Sequence, residues 1–176
     1  MRHVDNSQRL RGSWARGLTM ASAVCAFAMG AGTPGDASAQ QYHWLVNRNS
    51  GLCLTASAGS GERPVYQGAC NEDARFELYY PVDYSRLMFR HKTTDLCLVT
   101  RGSGESAAVL STCNPGWADQ LWYWYFADNP GGQDMYQYQN ANSRLCLAAR
   151  GGGRSRAVQT TCGDWVDQQW RSVATY

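Results

Sequence analysis

The tripeptide Leu-Cys-Leu occurs three times in this chain of 176 residues, at 52–54, 96–98 and 145–147. Each copy is followed by a glycine-rich break and a second cysteine, which gives the pairs Cys53/Cys70, Cys97/Cys113 and Cys146/Cys162. The separations within pairs are 17, 16 and 16 residues, and the first cysteines stand 44 and 49 residues apart. Six cysteines admit many pairings. The three-fold repetition selects one of them, each first cysteine with its own second. A closed loop of that size contributes about 3 kcal/mol in the loop-entropy account.

A seventh cysteine, Cys25, belongs to a different kind of segment. Residues 1–16 are polar and carry Arg2, Arg9, Arg11 and Arg16; the apolar run GLTMASAVCAFAMGAG follows, then Ala37-Ser38-Ala39 before Gln40. A basic stretch, an apolar stretch and a small-x-small site are the parts of a secretory signal peptide. The apolar run falls short of the ~20 residues that span a bilayer. The expectation is a signal peptide over 1–39 and one mature domain over 40–176, secreted into a setting where disulfides persist. The leader holds four of the 16 basic and two of the 14 acidic residues, so the mature chain carries twelve of each. No basic surface remains to argue for nucleic acid, and nothing argues for membrane insertion.

More than cysteines repeats. Gln120-Leu-Trp122 follows Cys113, Gln168-Gln-Trp170 follows Cys162, and Ala74-Arg-Phe76 holds the matching place after Cys70. Short alternating or apolar runs (YHWLV, LCLTA, LMFRH, AAVLS) are separated by turn-rich breaks such as RGSGES and RGGGRS, with no helical period. Such units cannot each bury an apolar face alone, so three must share one core in an all-β closed structure. The pattern Leu-Cys-Leu, glycine-rich loop, Cys, Gln-x-Trp over about residues 41–173 resembles the ricin-type β-trefoil, or ricin B-like lectin, family. That resemblance implies a β-trefoil of three pseudo-repeated lobes, about 41–86, 87–134 and 135–176, with one disulfide per lobe. It also implies core roles for Phe76, Trp122 and Trp170, and turn-fixing roles for Gln120 and Gln168.

Fold membership does not carry a binding site with it. A sugar needs an aromatic ring against its C–H face and an acceptor for adjacent hydroxyls. The resemblance places the usual acceptor, an Asp, two residues after each first cysteine, where this chain has Thr55, Val99 and Ala148. The stacking aromatic, two residues before each second cysteine, falls at Gly68, Ser111 and Thr160. The usual site therefore lacks its main acceptor in every lobe. A third position, an Asn before the Gln of Gln-x-Trp in the family, is Asp73, Asp119 and Asp167 here, and Trp117 and Trp165 stand two residues earlier in lobes two and three. Trp117 with Asp119, and Trp165 with Asp167, could rebuild a stacking-plus-acceptor pair. The plainer alternative is that Asp caps a turn and the tryptophan covers the lobe end. Lobe one has Asn71 in place of a tryptophan and should bind least.

The remaining candidates are plainer. His43 and His91 have no metal or triad spacing, and the acids Glu62, Glu72, Asp73, Glu77 and Asp83 mark no glycosidase pair. The run LWYWYF (121–126) alternates, so Trp122, Trp124 and Phe126 should face one side as a core strand. The sequence thus reads as a secreted, non-catalytic lectin-like protein without metal or cofactor, binding carbohydrate through non-standard sites at the lobe ends. The alternative is a trefoil that has lost sugar binding and acts as a protein-interaction domain, an inhibitor or toxin-complex subunit.

Overall fold

Each Leu-Cys-Leu enters its strand from a turn whose last residue lies two positions before the cysteine. Gly51, Asp95 and Arg144 hold that place with φ of 68°, 56° and 64°, the left-handed region. Their N–H groups donate to the carbonyls of Asn47, His91 and Asn140, all at 2.9 Å. Only the first repeat uses glycine, for which this backbone is easy. The computed structural model describes residues 40–176 apart from 58, 60 and 82, so the expected signal peptide lies outside the described residues.

Every repeat contributes four strands. The first has β1 (Tyr42–Asn47), β2 (Cys53–Ala56), β3 (Arg63–Gly68) and β4 (Arg75–Tyr79). The second has β5 (Met88–His91), β6 (Cys97–Thr100), β7 (Ser106–Ser111) and β8 (Trp122–Asp128). The third has β9 (Met135–Asn140), β10 (Cys146–Ala149), β11 (Ala157–Thr160) and β12 (Trp170–Thr175). The outer strands of each repeat close a six-stranded barrel through β1–β4, β4–β5, β8–β9, β9–β12 and β12–β1 pairings. The Leu87–Trp122 bridge joins the β5 and β8 sides. The hairpins β2–β3, β6–β7 and β10–β11 meet in a triangle, through β3–β7, β7–β11 and the Tyr66–Arg156 bridge. This is a β-trefoil, with disulfides Cys53–Cys70, Cys97–Cys113 and Cys146–Cys162, one per repeat.

One core serves all three repeats. Leu54, Leu98 and Leu147 from the cysteine strands pack with Phe76, Trp122 and Trp170, and all six are fully buried. The indoles of Trp122 and Trp170 donate to the carbonyls of Leu98 (3.4 Å) and Leu147 (3.0 Å), so each barrel strand is tied to its repeat's cysteine strand. The buried Gln120 side chain donates to Thr112 O and accepts from Asn114 N, both at 2.8 Å. Gln168 does the same with Thr161 O (2.7 Å) and Gly163 N (3.0 Å). These glutamines pin the loops that follow Cys113 and Cys162. In the first repeat Ala74 has no such amide; there the Asn71 side chain caps the turn and Trp44 Nε1 donates to Asn71 O.

The expected burial of the Trp122, Trp124 and Phe126 face of the 121–126 run fails at its far end. Trp122 is buried and Trp124 packs against the core, but Phe126 is 63 % exposed. Beyond the Leu87–Trp122 bridge β8 pairs with β9 alone, and its register shifts between Phe126 and Asp128. The strand outruns the barrel, so its last aromatic has no core to enter.

Candidate functional site

The loops pinned by Gln120 and Gln168 each display a tryptophan beside a carboxylate. Trp117 is 48 % and Trp165 55 % exposed, so neither covers the lobe end as a packed side chain. A short 3-10 turn follows each, 118–120 and 166–168, and carries Asp119 and Asp167. The turns are anchored from the next repeat: Asn140 Nδ2 donates to Asp119 O and Asn47 Nδ2 to Asp167 O, both at 2.8 Å. These bonds use the aspartate backbones and leave the carboxylates for other partners. Gly163 lies under the Trp165 ring, where a Cβ would come within 3.2 Å of its atoms.

Open clefts of about 500 Å³ lie at both places. The second repeat's cleft is lined by Arg101, Gly116, Trp117, Asp119 and Asn142, the third's by Asn49, Gly151, Asp164, Trp165 and Asp167. Arg101 Nε stands 3.8 Å from Asp119 Oδ2, and Arg150 Nε 3.9 Å from Asp167 Oδ2. Those contacts are ion pairs but too long for hydrogen bonds. The other oxygen of each carboxylate, Oδ1, is sealed from solvent without a hydrogen-bonding protein group.

The arginines are held from behind by the preceding repeat. Glu62 pairs with Arg101, and Glu105 grips Arg150 through two bonds of 3.1 and 2.8 Å. The Glu62 bond pushes the Arg101 guanidinium above its ordinary range and the Glu62 carboxyl below its own. Buried Gln159 and Gln67 fix the backbone at the same points, donating to Arg101 O (3.1 Å) and Arg150 O (3.2 Å). Each arginine thus offers its Nε toward the aspartate while a glutamate compensates its charge.

The first repeat is built differently. Its cleft of about 270 Å³ is lined by Thr55, Tyr66, Asn71, Asp73 and, from the third repeat, Arg154. Thr55 is not free to act there, because its hydroxyl donates to Asp73 O at 2.7 Å. At the equivalent positions Val99 and Ala148 are fully buried in the core. The Asp73 carbonyl also accepts from His91 Nε2 at 2.9 Å, in place of the asparagine used by the other repeats.

Five side chains in or behind these clefts are not marked by the local sequence. Arg101 and Arg150 carry a faint signal, since both stand four residues past a first cysteine, in LCLVTR and LCLAAR. Glu62, Glu105 and Arg154 come from neighbouring repeats, and only the hairpin triangle brings them in. Among the described residues no cluster of three or more His, Cys, Asp or Glu could hold a metal ion.

A barrel closed by three hairpins, with one disulfide and one lobe-end cleft in each repeat, defines a disulfide-bonded β-trefoil. Residues 41–170 match the ricin-type beta-trefoil lectin domain. The chain belongs to the ricin-type β-trefoil lectin family. Among curated proteins, none matches it in sequence. Of the solved structures, the designed three-fold symmetric protein ThreeFoil aligns with a TM-score of 0.64 at 20 % identity, covering 75 % of this chain and 97 % of that one. SeviL bound to asialo-GM1 saccharide aligns at 0.61 and 15 % identity, covering 77 % and 98 %. The Haemophilus ducreyi cytolethal distending toxin aligns at 0.63 and 12 % identity, covering 75 % and 82 %. At these identities the likeness is one of fold.

Proposed function

We propose that this chain is a secreted, non-catalytic lectin-like protein that binds carbohydrate at the clefts of its second and third repeats. The observation that carries the reading is the pairing, twice, of a half-exposed tryptophan with a carboxylate that has an arginine beside it. A sugar hydroxyl is donor and acceptor at once. Asp119 or Asp167 accepts its proton, Arg101 or Arg150 donates to its oxygen, and the indole stacks on the C–H face of the ring. Because Glu62 and Glu105 compensate the arginines, these two clefts suit neutral sugars. Three disulfides support secretion, and no helix among the described residues is long and apolar enough to cross a membrane.

The test is a broad glycan array probed with the wild type and with Asp119→Ala/Asp167→Ala. We expect the wild type to be retained on a subset of glycans and the double variant to lose retention while keeping its fold. The second reading, a protein-interaction domain, draws on the loss of the family's usual acceptor at Thr55, Val99 and Ala148. An empty array beside one specific protein recovered by pull-down would favour it.

A further inference from the structure

The first repeat's cleft differs from the other two in the sign of the charge that reaches it. Each hairpin of the triangle extends a side chain toward the next repeat. From β2–β3 that side chain is Glu62, and from β6–β7 it is Glu105; each meets an arginine. From β10–β11 it is Arg154, which lines the first cleft. Where the other repeats carry Arg101 and Arg150, four residues past the cysteine, the first carries Ser57. The three-fold pattern is therefore broken twice at one place, and the carboxylate-to-arginine pair becomes an arginine facing a hydroxyl-sized side chain.

Arg154 has no carboxylate to answer it. Its guanidinium lies 4.7 Å from the centroid of the Tyr66 ring, and that of Arg156 lies 5.9 Å from the same ring. Neither takes part in any ion pair of the described residues. Stacking holds a guanidinium flat and leaves its N–H edge free for a planar or tetrahedral oxyanion. Asp73 lines the same cleft. Its negative charge disfavours a bare anion but suits a ligand that also brings hydroxyl donors.

We propose that the first repeat's cleft binds an acidic saccharide, carboxylated or sulfated, with Arg154 stacked on Tyr66 taking the anionic group and Asp73 accepting a ring hydroxyl. The proposal rests on the carbohydrate reading above and gives one of the three clefts a distinct ligand class. Arg156 adds a second positive charge beside the same Tyr66 ring.

The experiment measures binding of tetragalacturonate, its neutral methyl ester and galactose 6-sulfate by calorimetry, using Asp119→Ala/Asp167→Ala so that the other two clefts are disabled. At least one of the two acids should bind, and the methyl ester should bind about ten-fold more weakly than tetragalacturonate if the carboxylate is the recognised anion. Arg154→Glu, which installs the residue type of the other hairpins on an exposed loop, should abolish binding of the acid. Tyr66→Phe should retain it and Tyr66→Ala should weaken it. Binding through Arg154 of either acid supports the proposal, and the pair identifies the anion. Binding of neither, or binding that Arg154→Glu leaves unchanged, overturns it. Neutral glycans held by the wild type with no acid bound would sink this proposal alone. Acid bound through Arg154 with no neutral glycan held would sink only the reading of the second and third clefts.

Discussion

His91 fills the place that Asn47 and Asn140 hold in the other repeats, and it does the same work with a group that titrates. Its Nε2 faces the Asp73 carbonyl at 2.9 Å, which can only accept, so the proton sits on Nε2 and Nδ1 accepts from the Thr94 hydroxyl at 2.9 Å. Burial pushes its pKa below the ordinary 6.5, only partly offset by the bond to Asp73. Between the folded value and 6.5 the unfolded chain binds more protons than the folded one, so stability is full above 6.5 and falls as pH drops below it. We predict that His91→Asn removes part of this loss in denaturant titrations from pH 7.5 to about pH 5. The part that remains belongs to His43, which burial also depresses. At this scale the sequence shows Trp117, Asp119, Trp165 and Asp167 plainly, because each lies within five residues of Gln120 or Gln168. It does not show their arginines, because Arg101 is 18 residues from Asp119 and reaches it only through tertiary folding.

Elements decide how firmly the clefts are built. The Gln168 amide joins the loop after Cys162 to the start of β12, and the Trp165 ring sits on that loop. Gln168→Ala takes the amide partner from the Thr161 carbonyl and the Gly163 N–H, part-buried bonds worth about 0.5–1.5 kcal/mol each. We predict a lower denaturation midpoint, and glycan binding lost at the third repeat while the second repeat still binds. The first repeat shows how the loop survives without that amide: Ala74 is buried, and Asn71 and Trp44 hold the turn instead. Sequence periodicity reads these elements well where a strand lies in the barrel, as in β1, where Leu45 and Asn47 are buried and Val46 between them is not. It fails along β8, because alternation says which residues share a face but not where the neighbouring strand ends. Phe126 shares a face with Trp122 yet lies beyond the β5 side of the barrel.

At the scale of the whole molecule, three disulfides and three clefts act together. Each disulfide loop contributes about 3 kcal/mol, and three of them rival the ~5–15 kcal/mol that a domain this size has in total. We predict that Cys146→Ala/Cys162→Ala lowers unfolding free energy by about 3 kcal/mol, and that full reduction unfolds the domain, as near-ultraviolet circular dichroism would report. On the proposed carbohydrate reading the repeats also multiply binding. Retention on a dense glycan surface should fall by more than the change in single-site affinity when either Asp119 or Asp167 alone is replaced by alanine, because the paired engagement is lost. The trefoil itself is legible in the sequence from Leu-Cys-Leu, the cysteine pairs and Gln-x-Trp. Which side chain from one repeat enters the next repeat's cleft is set by the hairpin triangle, and no local pattern carries it.

The most direct test of the central claim is to follow the indole N–H signals of the protein by nuclear magnetic resonance while titrating the neutral glycan best retained on the array. Trp44, Trp117, Trp122, Trp124, Trp165 and Trp170 each report from a different place in the domain. We expect Trp117 and Trp165 to shift with the binding curve while the buried Trp122 and Trp170 hold still. Saturable binding that moves Trp124 or Trp44 and leaves Trp117 and Trp165 unchanged would contradict it.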